Sequence, residues 1–252
     1  MTLDRLIMIL ETLAIAGRPV SAAEVQRVTG LPKPTCYRHI QTLRDHRLIT
    51  SPADDGKFVV GERLMSIALL GKSDGDIQRA AEPLLKSAAA DFNEAVFLAR
   101  RRGRKVEIIH IDTPNDPSRA FIYPGLGERP LHACSCSKAI AAFAGPAFQD
   151  GIMQDVLERF TPSTKTTESE LRAEFALIRA RGFAECNEEI DQGVASVAAP
   201  ISIGGDTAMF SVGAVGPIRR FCDSLRNDVG LKLTQLAKRI GKNIQLCRLE
   251  EA

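Results

Sequence analysis

The 252-residue sequence has no apolar run of the roughly 18 residues that a membrane-spanning helix needs. Its first residues, Met1-Thr-Leu-Asp-Arg5, contain no basic segment followed by an apolar one, so we expect no secretory signal. The sequence therefore predicts a cytoplasmic protein without a membrane partner.

Motifs of nucleotide-dependent enzymes are also missing, since the sequence contains neither GxGxxG nor GxxxxGK[ST]. The six cysteines include no Cys-x₂₋₄-Cys pair of the zinc-finger type. Without a secretory signal, six cysteines in a chain of this length indicate reduced thiols and not a disulfide framework. We therefore predict a non-enzymatic protein with no cofactor. Its length leaves room for one large domain or two ordinary ones.

The N-terminal sequence begins with two predicted helices. Apolar residues recur at helical spacing over residues 3–16, and Gly17 predicts the end of that helix. Ser21, with Glu24 three residues later, is a capping box that opens a second helix. Gly30 then predicts a tight turn.

A third helix and a hairpin follow. The helix is predicted from Leu31 to roughly His46, with an apolar stripe of Cys36, Ile40 and Leu43. Polar residues lie off that stripe: Arg38, His39, Gln41, Thr42 and Asp45. Two β-prone runs within residues 48–60 flank a turn with Asp55-Gly56, and residues 61–71 are helical again. Residues 1–72 therefore predict a winged helix-turn-helix DNA-binding domain.

Charge and side-chain chemistry support DNA as a partner of this domain. Residues 1–72 carry ten Lys and Arg against seven Asp and Glu. A recognition helix enters the major groove with its N-terminal end and exposed face. The candidate contacts are Lys33, Thr35, Tyr37 and Arg38 on that helix and Lys57 on the wing. The alternative is a generic three-helix element with a solvated charged face.

The C-terminal sequence alternates helical and strand-like segments after a polar linker predicted at residues 72–76. Helices are predicted at 77–92, 138–143, 168–181 and 221–249, and strands at 95–99, 106–111, 119–123, 193–203 and 208–215. Arg100–Lys105 is predicted as a basic turn between two strands. Several adjacent strand pairs with helices indicate an α+β domain with a mainly antiparallel sheet over residues 77–252.

The segment His132-Ala-Cys-Ser-Cys-Ser-Lys138 precedes a predicted helix and invites several interpretations. Free N–H groups at a helix start suit a carboxylate, so a small organic acid is the expected ligand. If His132, Cys134 and Cys136 lay on a strand they would share a face, but three ligands with Cys-x-Cys spacing are unusual for zinc. A cysteine nucleophile with His132 or His110, or a redox pair of thiols, stays open.

Other candidate groups favour ordinary structural roles. Glu188 and Glu189 are adjacent and point to different faces of a regular element, so a structural or capping role is favoured over acid–base chemistry. Cys186, Cys222 and Cys247 are expected to be ordinary buried or surface residues.

The stretch around the third helix resembles the DNA-binding domain of the IclR family of bacterial regulators. The matching residues are Gly30, Leu31, Pro32, Lys33, Thr35, Tyr37, Arg38, Thr42 and Leu43. Pro34 stands where the family often has Ser, which removes a hydroxyl but is tolerated in a first helical turn. The resemblance continues through Gly127–Ala139, Gly182–Ala184 and Val197–Ile201, and spans roughly residues 3–240.

The resemblance implies a GAF-like effector-binding domain with a curved antiparallel sheet. It also implies a pocket that includes Cys134, Ser135, Cys136, Asn187, Ser196 and Gly213. Fewer hydroxyls than in the family pattern indicate a ligand with an apolar or aromatic body. The expected function is a ligand-responsive regulator, with repression the commoner habit, that binds an inverted-repeat operator as a homodimer or homotetramer. The alternative is a stand-alone sensor or enzyme whose N-terminal domain binds another protein.

Overall fold

The computed structural model describes residues 2–53, 55–116, 124–203, 207–221 and 223–246. The chain divides into two compact units, a head unit of residues 1–71 and a body unit of residues 72–252. No helix within the described ranges is long and apolar enough to cross a membrane.

The head unit is a winged helix-turn-helix. Its elements in chain order are α1 (Thr2–Ala16), β1 (Val20–Ser21), α2 (Ala22–Thr29), α3 (Lys33–Asp45), β2 (Ile49–Thr50), β3 (Lys57–Val60) and α4 (Glu62–Leu70). The three short strands form an antiparallel sheet in the order β1-β3-β2. The predicted fold is confirmed, and β1, which the sequence analysis did not contain, adds a third strand to the hairpin.

Local chemistry sets the boundaries of α2. The Ser21 hydroxyl accepts a hydrogen bond from the backbone N–H of Glu24 at 3.2 Å, which is one half of the predicted capping box. The Glu24 carboxylate pairs with Arg18 at 2.6 Å, where a full box would have it accept from the Ser21 N–H. Gly30 ends the helix with φ of 66°, a left-handed conformation that favours glycine.

The core of the head unit is formed by the predicted apolar stripes. Its buried residues include Ile9, Leu13, Val25, Cys36, Ile40, Leu43 and Ile49. His39, predicted to lie among the exposed polar residues of α3, is only 3% exposed. Residues 39 and 40 both face the interior because the buried side of α3 is wider than the predicted stripe. Burial lowers the pKa of His39, and the nearby positive charges of Arg38 and Arg5 add to the effect.

The predicted linker at residues 72–76 is wrong, because most of it starts a helix. Ser73 accepts from the N–H of Asp76, and the Asp76 carboxylate accepts from the N–H of Ser73, so the two residues form a capping box. The polar residues that resembled a linker are the first turn of α5 (Asp74–Phe92).

The body unit is an α+β domain, as predicted. After α5 its elements are β4 (Ala95–Arg102), β5 (Lys105–Asp112), β6 (Gly127–Glu128), α6 (Ser135–Ala142), α7 (Pro146–Gln154), α8 (Glu168–Arg181), β7 (Ala184–Asn187), β8 (Val194–Ser202), β9 (Ala208–Pro217) and α9 (Asp223–Leu246). The six strands form an antiparallel sheet in the order β6-β5-β4-β9-β8-β7.

Several predicted segments shift in the body unit. Arg100–Arg102 continue β4, so the predicted basic turn shortens to Gly103 and Arg104. The predicted strand at residues 119–123 lies outside the described residues, as do Cys222, Cys247 and the end of the predicted helix 221–249. The strands β6 and β7 and the helix α7 were not predicted.

Helices cover both faces of the six-stranded sheet. Helices α6, α7 and α8 share a buried core with one face, which includes Phe97, Ile108, Ala198 and Val215. Helices α5 and α9 pack against the other face and against each other. Because neighbouring residues of a strand point to opposite faces, the position of each residue along its strand decides which set of helices it meets.

Candidate DNA interface and ligand cavity

The predicted DNA contacts of α3 lie on its outer side. Lys33, Tyr37 and Arg38 are exposed, and Thr35 is half-buried. The Lys33 ammonium lies 5.9 Å from the centre of the Tyr37 ring, a cation–π contact between residues one turn apart. No described residue forms an ion pair with the Arg38 guanidinium, which leaves its donors free for an external acceptor.

The start of α3 also presents free backbone donors. Pro32 occupies the cap position and no side chain accepts from the first turn. Pro34 has no N–H, so the free donors of this turn are those of Lys33 and Thr35. Such a helix start suits a phosphate oxygen.

Two further residues complete the candidate DNA surface. Lys57 is exposed at the start of β3 and pairs with Asp55 at 3.2 Å, so its ammonium lies at the tip of the wing formed by residues 49–60. Gln41 is exposed one turn beyond Tyr37 on the same side of α3, and it bonds to Asp45 and Arg44. Gln41 was not predicted to contact DNA, although its spacing from Tyr37 places both residues on one helix face.

A cavity of about 150 Å³ opens between the sheet and the start of α6. Its walls are mainly apolar. The lining residues are Phe97, Ile108, Pro124, Arg129, Cys134, Cys186, Ile190, Asp191, Val194, Ser196 and Val215.

Two charged residues that were not predicted from the sequence line the cavity. The Arg129 guanidinium donates through Nη2 to the carbonyl oxygens of Pro124 and Gly125, while its buried Nε has no partner among the described residues. Asp191 belongs to the turn before β8 and contributes a carboxylate. The cavity can therefore pair with an anionic group through Arg129 and accept a hydrogen bond through Asp191.

Five of the six predicted pocket residues lie at or directly behind the cavity wall. Cys134 and Ser196 line it, and the Ser135 hydroxyl lies 2.7 Å from the Ser196 hydroxyl. The Cys136 sulfur lies 3.3 Å from the Cys134 sulfur. Gly213 is opposite Phe97 in the sheet, and a Cβ at this position would lie 2.3 Å from the Phe97 ring. Because Gly213 has no side chain, the Phe97 ring has room to line the cavity.

Asn187 is not brought to the cavity. Its neighbour Cys186 lines the cavity, and alternation along β7 directs Asn187 to the opposite face of the sheet. There the Asn187 amide donates to Glu185 at 3.2 Å, and Glu185 in turn pairs with Arg226 of α9. The match to a family motif located the strand but not the direction of this side chain.

The cavity-side thiols have different acidities. Burial raises the pKa of Cys186 to about 12. A hydrogen bond to Cys136 and burial raise the pKa of Cys134. Burial opposes ionisation of Cys136, but the pKa of Cys136 is lowered because hydrogen bonds from Cys134 and Ser137 and the charge of Arg129 outweigh it. Cys136 is therefore the more acidic thiol of the pair.

The histidines proposed as partners of these thiols are engaged elsewhere. His132 contacts the Glu158 carbonyl oxygen at 2.9 Å through Nε2 and stacks on Phe160. His110 pairs with Asp112 at 2.9 Å. The segment with Cys134 is a turn that leads into α6 and not a strand, so the shared face assumed for a metal site does not form.

A buried ion cluster stands behind α6. Lys138 has no exposed surface and pairs with Glu189 at 2.6 Å and Glu174 at 3.3 Å. Burial opposes the charge of Lys138, but the two carboxylates outweigh it and raise the pKa of Lys138. Burial likewise opposes ionisation of Glu174, while Lys138 and neighbouring cations outweigh it and lower the pKa of Glu174.

Glu188 and Glu189, for which the sequence favours structural roles over acid–base chemistry, both have structural contacts. Glu189 belongs to the ion cluster around Lys138. The Glu188 carboxylate accepts from the backbone N–H of Gly193 at 2.7 Å and closes the turn before β8.

Comparison with known proteins agrees with this architecture over nearly the whole chain. The family model of the IclR helix-turn-helix domain matches residues 2–52, and the model of the bacterial transcriptional regulator IclR C-terminal domain matches residues 72–247. The chain is 28% identical over 224 residues to the glycerol operon regulatory protein of Streptomyces griseus, covering 88% of this chain and 86% of that protein. It is 30% identical over 225 residues to the HTH-type transcriptional regulator BhcR of Paracoccus denitrificans, covering 88% and 79%.

Solved structures share the fold. The IclR protein of Thermotoga maritima matches with a TM-score of 0.63 and 22% identity, covering 96% of this chain and 98% of that one. An IclR homologue from Microbacterium hydrocarbonoxydans, complexed with 4-hydroxybenzoate, matches with a TM-score of 0.61 and 22% identity, covering 97% and 99%. The family models, the regulators and the winged helix-turn-helix agree that this chain belongs to the IclR family of bacterial transcriptional regulators.

Proposed function

We propose that this regulator is a repressor of catabolic genes and that it responds to a small organic acid with a single aromatic ring. The observation that carries the proposal is the cavity of the body unit, which combines apolar walls with one guanidinium and one carboxylate. The IclR protein of Escherichia coli, 22% identical to this chain, is named a transcriptional repressor, which supports repression. The Streptomyces griseus relative is named for a glycerol operon, which supports an operon for a small metabolite as the target.

The size and the walls of the cavity favour a ring. A cavity of about 150 Å³ with apolar walls holds a benzene-sized molecule. Phe97, Ile108 and Val215 supply flat or branched apolar surfaces that would exclude water from a ring. A sugar or a polyol would leave hydroxyl groups unpaired against these walls.

The two charged side chains favour an acid that also carries a hydrogen-bond donor. Arg129 retains an unpartnered buried Nε that a carboxylate would pair with. Asp191 would accept from a hydroxyl group of the same ligand. The structural neighbour from Microbacterium hydrocarbonoxydans is complexed with 4-hydroxybenzoate, which carries both groups.

The exposed side of α3 supports DNA recognition with divided roles. Arg38 would read a guanine edge, and Tyr37 would lie beside it in the major groove. Lys33, Thr35 and Lys57 would contact phosphates and fix the position of the helix. A homodimer or homotetramer would place two such helices on an inverted repeat about one helical turn apart.

A thermal-shift series on the full chain tests the ligand class. The probes are 4-hydroxybenzoate, benzoate, the neutral 4-hydroxybenzamide and pyruvate. A ligand at about one hundred times its dissociation constant stabilises the folded state by about 2.7 kcal/mol. We expect 4-hydroxybenzoate or benzoate to raise the melting temperature and the neutral amide to leave it unchanged.

Two variants connect the shift to the cavity. Arg129→Gln should abolish the shift, while Arg104→Gln, at an exposed arginine paired with Asp155, should leave it intact. A thermal shift that persists in Arg129→Gln would show that the acid binds at another site. A thermal shift with pyruvate alone would show that the ligand is a short aliphatic acid and not an aromatic one. The absence of a shift with every acid would overturn the proposed ligand class.

Repression is tested separately by transcription in vitro from a promoter that contains a DNA site selected by this chain. We expect the full chain to lower transcript yield and the stabilising acid to change that yield. An increase of transcript yield by the unliganded chain would overturn the repressor assignment. A chain that turns the acid over without binding DNA would support the stand-alone alternative.

A further inference from the structure

Two cysteine thiols meet at the wall of the cavity. The sulfurs of Cys134 and Cys136 lie 3.3 Å apart, and both residues are buried. Ser135, between them, is the first residue of α6, and helical geometry places Cα atoms two residues apart at about 5.4 Å, within the range that a disulfide spans. The pair therefore needs a movement of the side chains and not of the fold to form a bond.

The position of the two thiols makes them accessible to small molecules in the cavity and favours their reactivity. Cys134 lines the cavity, so a small molecule that enters the cavity contacts its sulfur. Cys136 lies in the first turn of α6, where the helix dipole favours a thiolate. The pKa of Cys136 is lowered by hydrogen bonds and by Arg129 against the effect of burial. The Cys134 thiol supplies one of these hydrogen bonds, so its proton can pass to Cys136, and Cys136 is in place to resolve an oxidised Cys134.

We propose that Cys134 and Cys136 form a peroxide-reactive dithiol that closes to an intramolecular disulfide. The Cys136 thiolate takes the proton of the Cys134 thiol, and the Cys134 sulfur, which lines the cavity, attacks one oxygen of a hydroperoxide. The O–O bond breaks, and the proton held by Cys136 passes to the leaving oxygen to release an alcohol, or water from hydrogen peroxide. The resulting sulfenic acid is attacked by the second sulfur, its hydroxyl group leaves as water, and the disulfide forms. One hydroperoxide takes two electrons from the two thiols.

The disulfide would alter the ligand cavity directly. Cys134 is both the cap residue of α6 and part of the cavity wall. Bond formation moves its sulfur towards Cys136 and removes its thiol as a hydrogen-bonding group. Oxidation would thus change affinity for a bound acid, although the oxidation itself does not depend on which acid binds.

The test uses the full chain treated with hydrogen peroxide and then alkylated under native and unfolding conditions. Both cysteines lie in one tryptic peptide, residues 120–138, because Arg129 is followed by proline and is not cleaved. We expect this peptide to lose two hydrogen masses and the number of free thiols to fall from six to four, with recovery after dithiothreitol. Cys186 lies in a separate peptide, residues 182–219, and reports selectivity.

Three variants assign the reaction. Cys134→Ser and Cys136→Ser should each abolish the disulfide, and Cys136→Ser should leave a sulfenic acid on Cys134 that dimedone traps. The matched control Cys186→Ser changes a third thiol of the same cavity and should leave the disulfide intact. Circular dichroism shows whether each variant is folded. If a variant does not fold, the peptide map of the unchanged chain still tests for the disulfide.

Three results would overturn the proposal. One is a peptide 120–138 that stays fully alkylatable while other thiols oxidise. A second is a sulfinic acid on Cys134 with no disulfide at any peroxide concentration. The third is a disulfide that requires Cys186, which would place the redox partner elsewhere in the cavity.

Discussion

At the residue scale, Lys138 is a charge with no exposed surface that lies between Glu189 and Glu174. Replacement by methionine keeps much of the volume but leaves two buried carboxylates without their central cation. Breaking a buried ion pair from one side costs about 3–5 kcal/mol. We expect Lys138→Met to lower the free energy of unfolding by this amount in urea titrations. Lys165→Met, at a partly exposed lysine of the same cluster, should cost less.

The same variant should have an altered pH dependence. In the unchanged chain the pKa of Glu174 is lowered, so its ionised carboxylate stabilises the folded state at neutral pH. This stabilisation is lost as pH falls below the ordinary carboxyl pKa of 4.5. Without Lys138 the burial of Glu174 favours its protonated form instead. The stability difference between the two proteins should therefore widen from pH 5 to pH 7, and a difference that is constant over this range would contradict the role assigned to Lys138.

Gly213 makes room for the ring that lines the cavity. A Cβ at this position would lie 2.3 Å from the Phe97 ring and 2.6 Å from the Val197 carbonyl oxygen. Such overpacking costs about 1–3 kcal/mol. We expect Gly213→Ala to lower stability by this amount and to abolish the acid-induced thermal shift.

Gly151→Ala is the matched control, because it lies within α7 and its nearest atoms belong to the flexible Arg104 side chain at 3.5 Å or more. It should be neutral or stabilising by up to about 1 kcal/mol. An equal decrease in the free energy of unfolding for both substitutions would show that the decrease comes from the backbone and not from contact with Phe97.

The residues of the cavity show where sequence reasoning stops. Cys134 and Ser196 could be predicted because each belongs to a segment with a recognisable family pattern. Arg129 lies in the same family-like segment as Cys134, but the pattern does not show that its guanidinium enters the cavity, and Asp191 comes from a separate turn that no periodicity links to this segment. The prediction that Asn187 belongs to the pocket failed for a related reason. A motif match gives the position of a residue on a strand but not the face to which its side chain points.

At the scale of elements, the proposed DNA contacts of α3 and of the wing differ in kind. Arg38 would contact a base, so Arg38→Ala should weaken binding to a preferred sequence by about 1–3 kcal/mol and relax the sequence preference. Lys57 would contact a phosphate, so Lys57→Ala should weaken binding to all sequences alike. It should also reduce the slope of log K against log salt by about 1. Fluorescence anisotropy titrations at several salt concentrations measure both effects.

Arg18→Ala provides the control for these two variants. Arg18 is an exposed arginine of the head unit that is paired with Glu24 and belongs to neither α3 nor the wing. Its loss should leave sequence preference and salt slope unchanged. An effect equal to that of Arg38→Ala would indicate binding by general positive charge alone.

Helices with clear caps and periodic apolar residues could be predicted from the sequence, and α8 was predicted with its observed bounds, Glu168–Arg181. The linker prediction failed because Ser73 and Asp76 are polar for a structural reason, as the two halves of a capping box. Strands β6 and β7 are two and four residues long, too short for alternation to stand out. Helix α7 was missed although Pro146 follows a glycine at its start, a signal that could have located it.

At the scale of the whole molecule, the two proposed binding surfaces belong to different compact units. The residues proposed to contact DNA lie in the head unit, and the cavity lies in the body unit. A response to ligand therefore requires free-energy coupling between two sites, typically about 1–3 kcal/mol, or about 5- to 150-fold in affinity. By reciprocity, a bound operator should change the affinity for the acid by the same factor.

The most direct test is the affinity of the full chain for a duplex that it has selected from a random-sequence pool, compared with a scrambled duplex of equal length at physiological salt. Specific recognition predicts enrichment of an inverted repeat and binding at least about 10³-fold tighter to the selected duplex. Failure to enrich any sequence, or equal affinity for both duplexes, would contradict sequence-specific DNA recognition by α3.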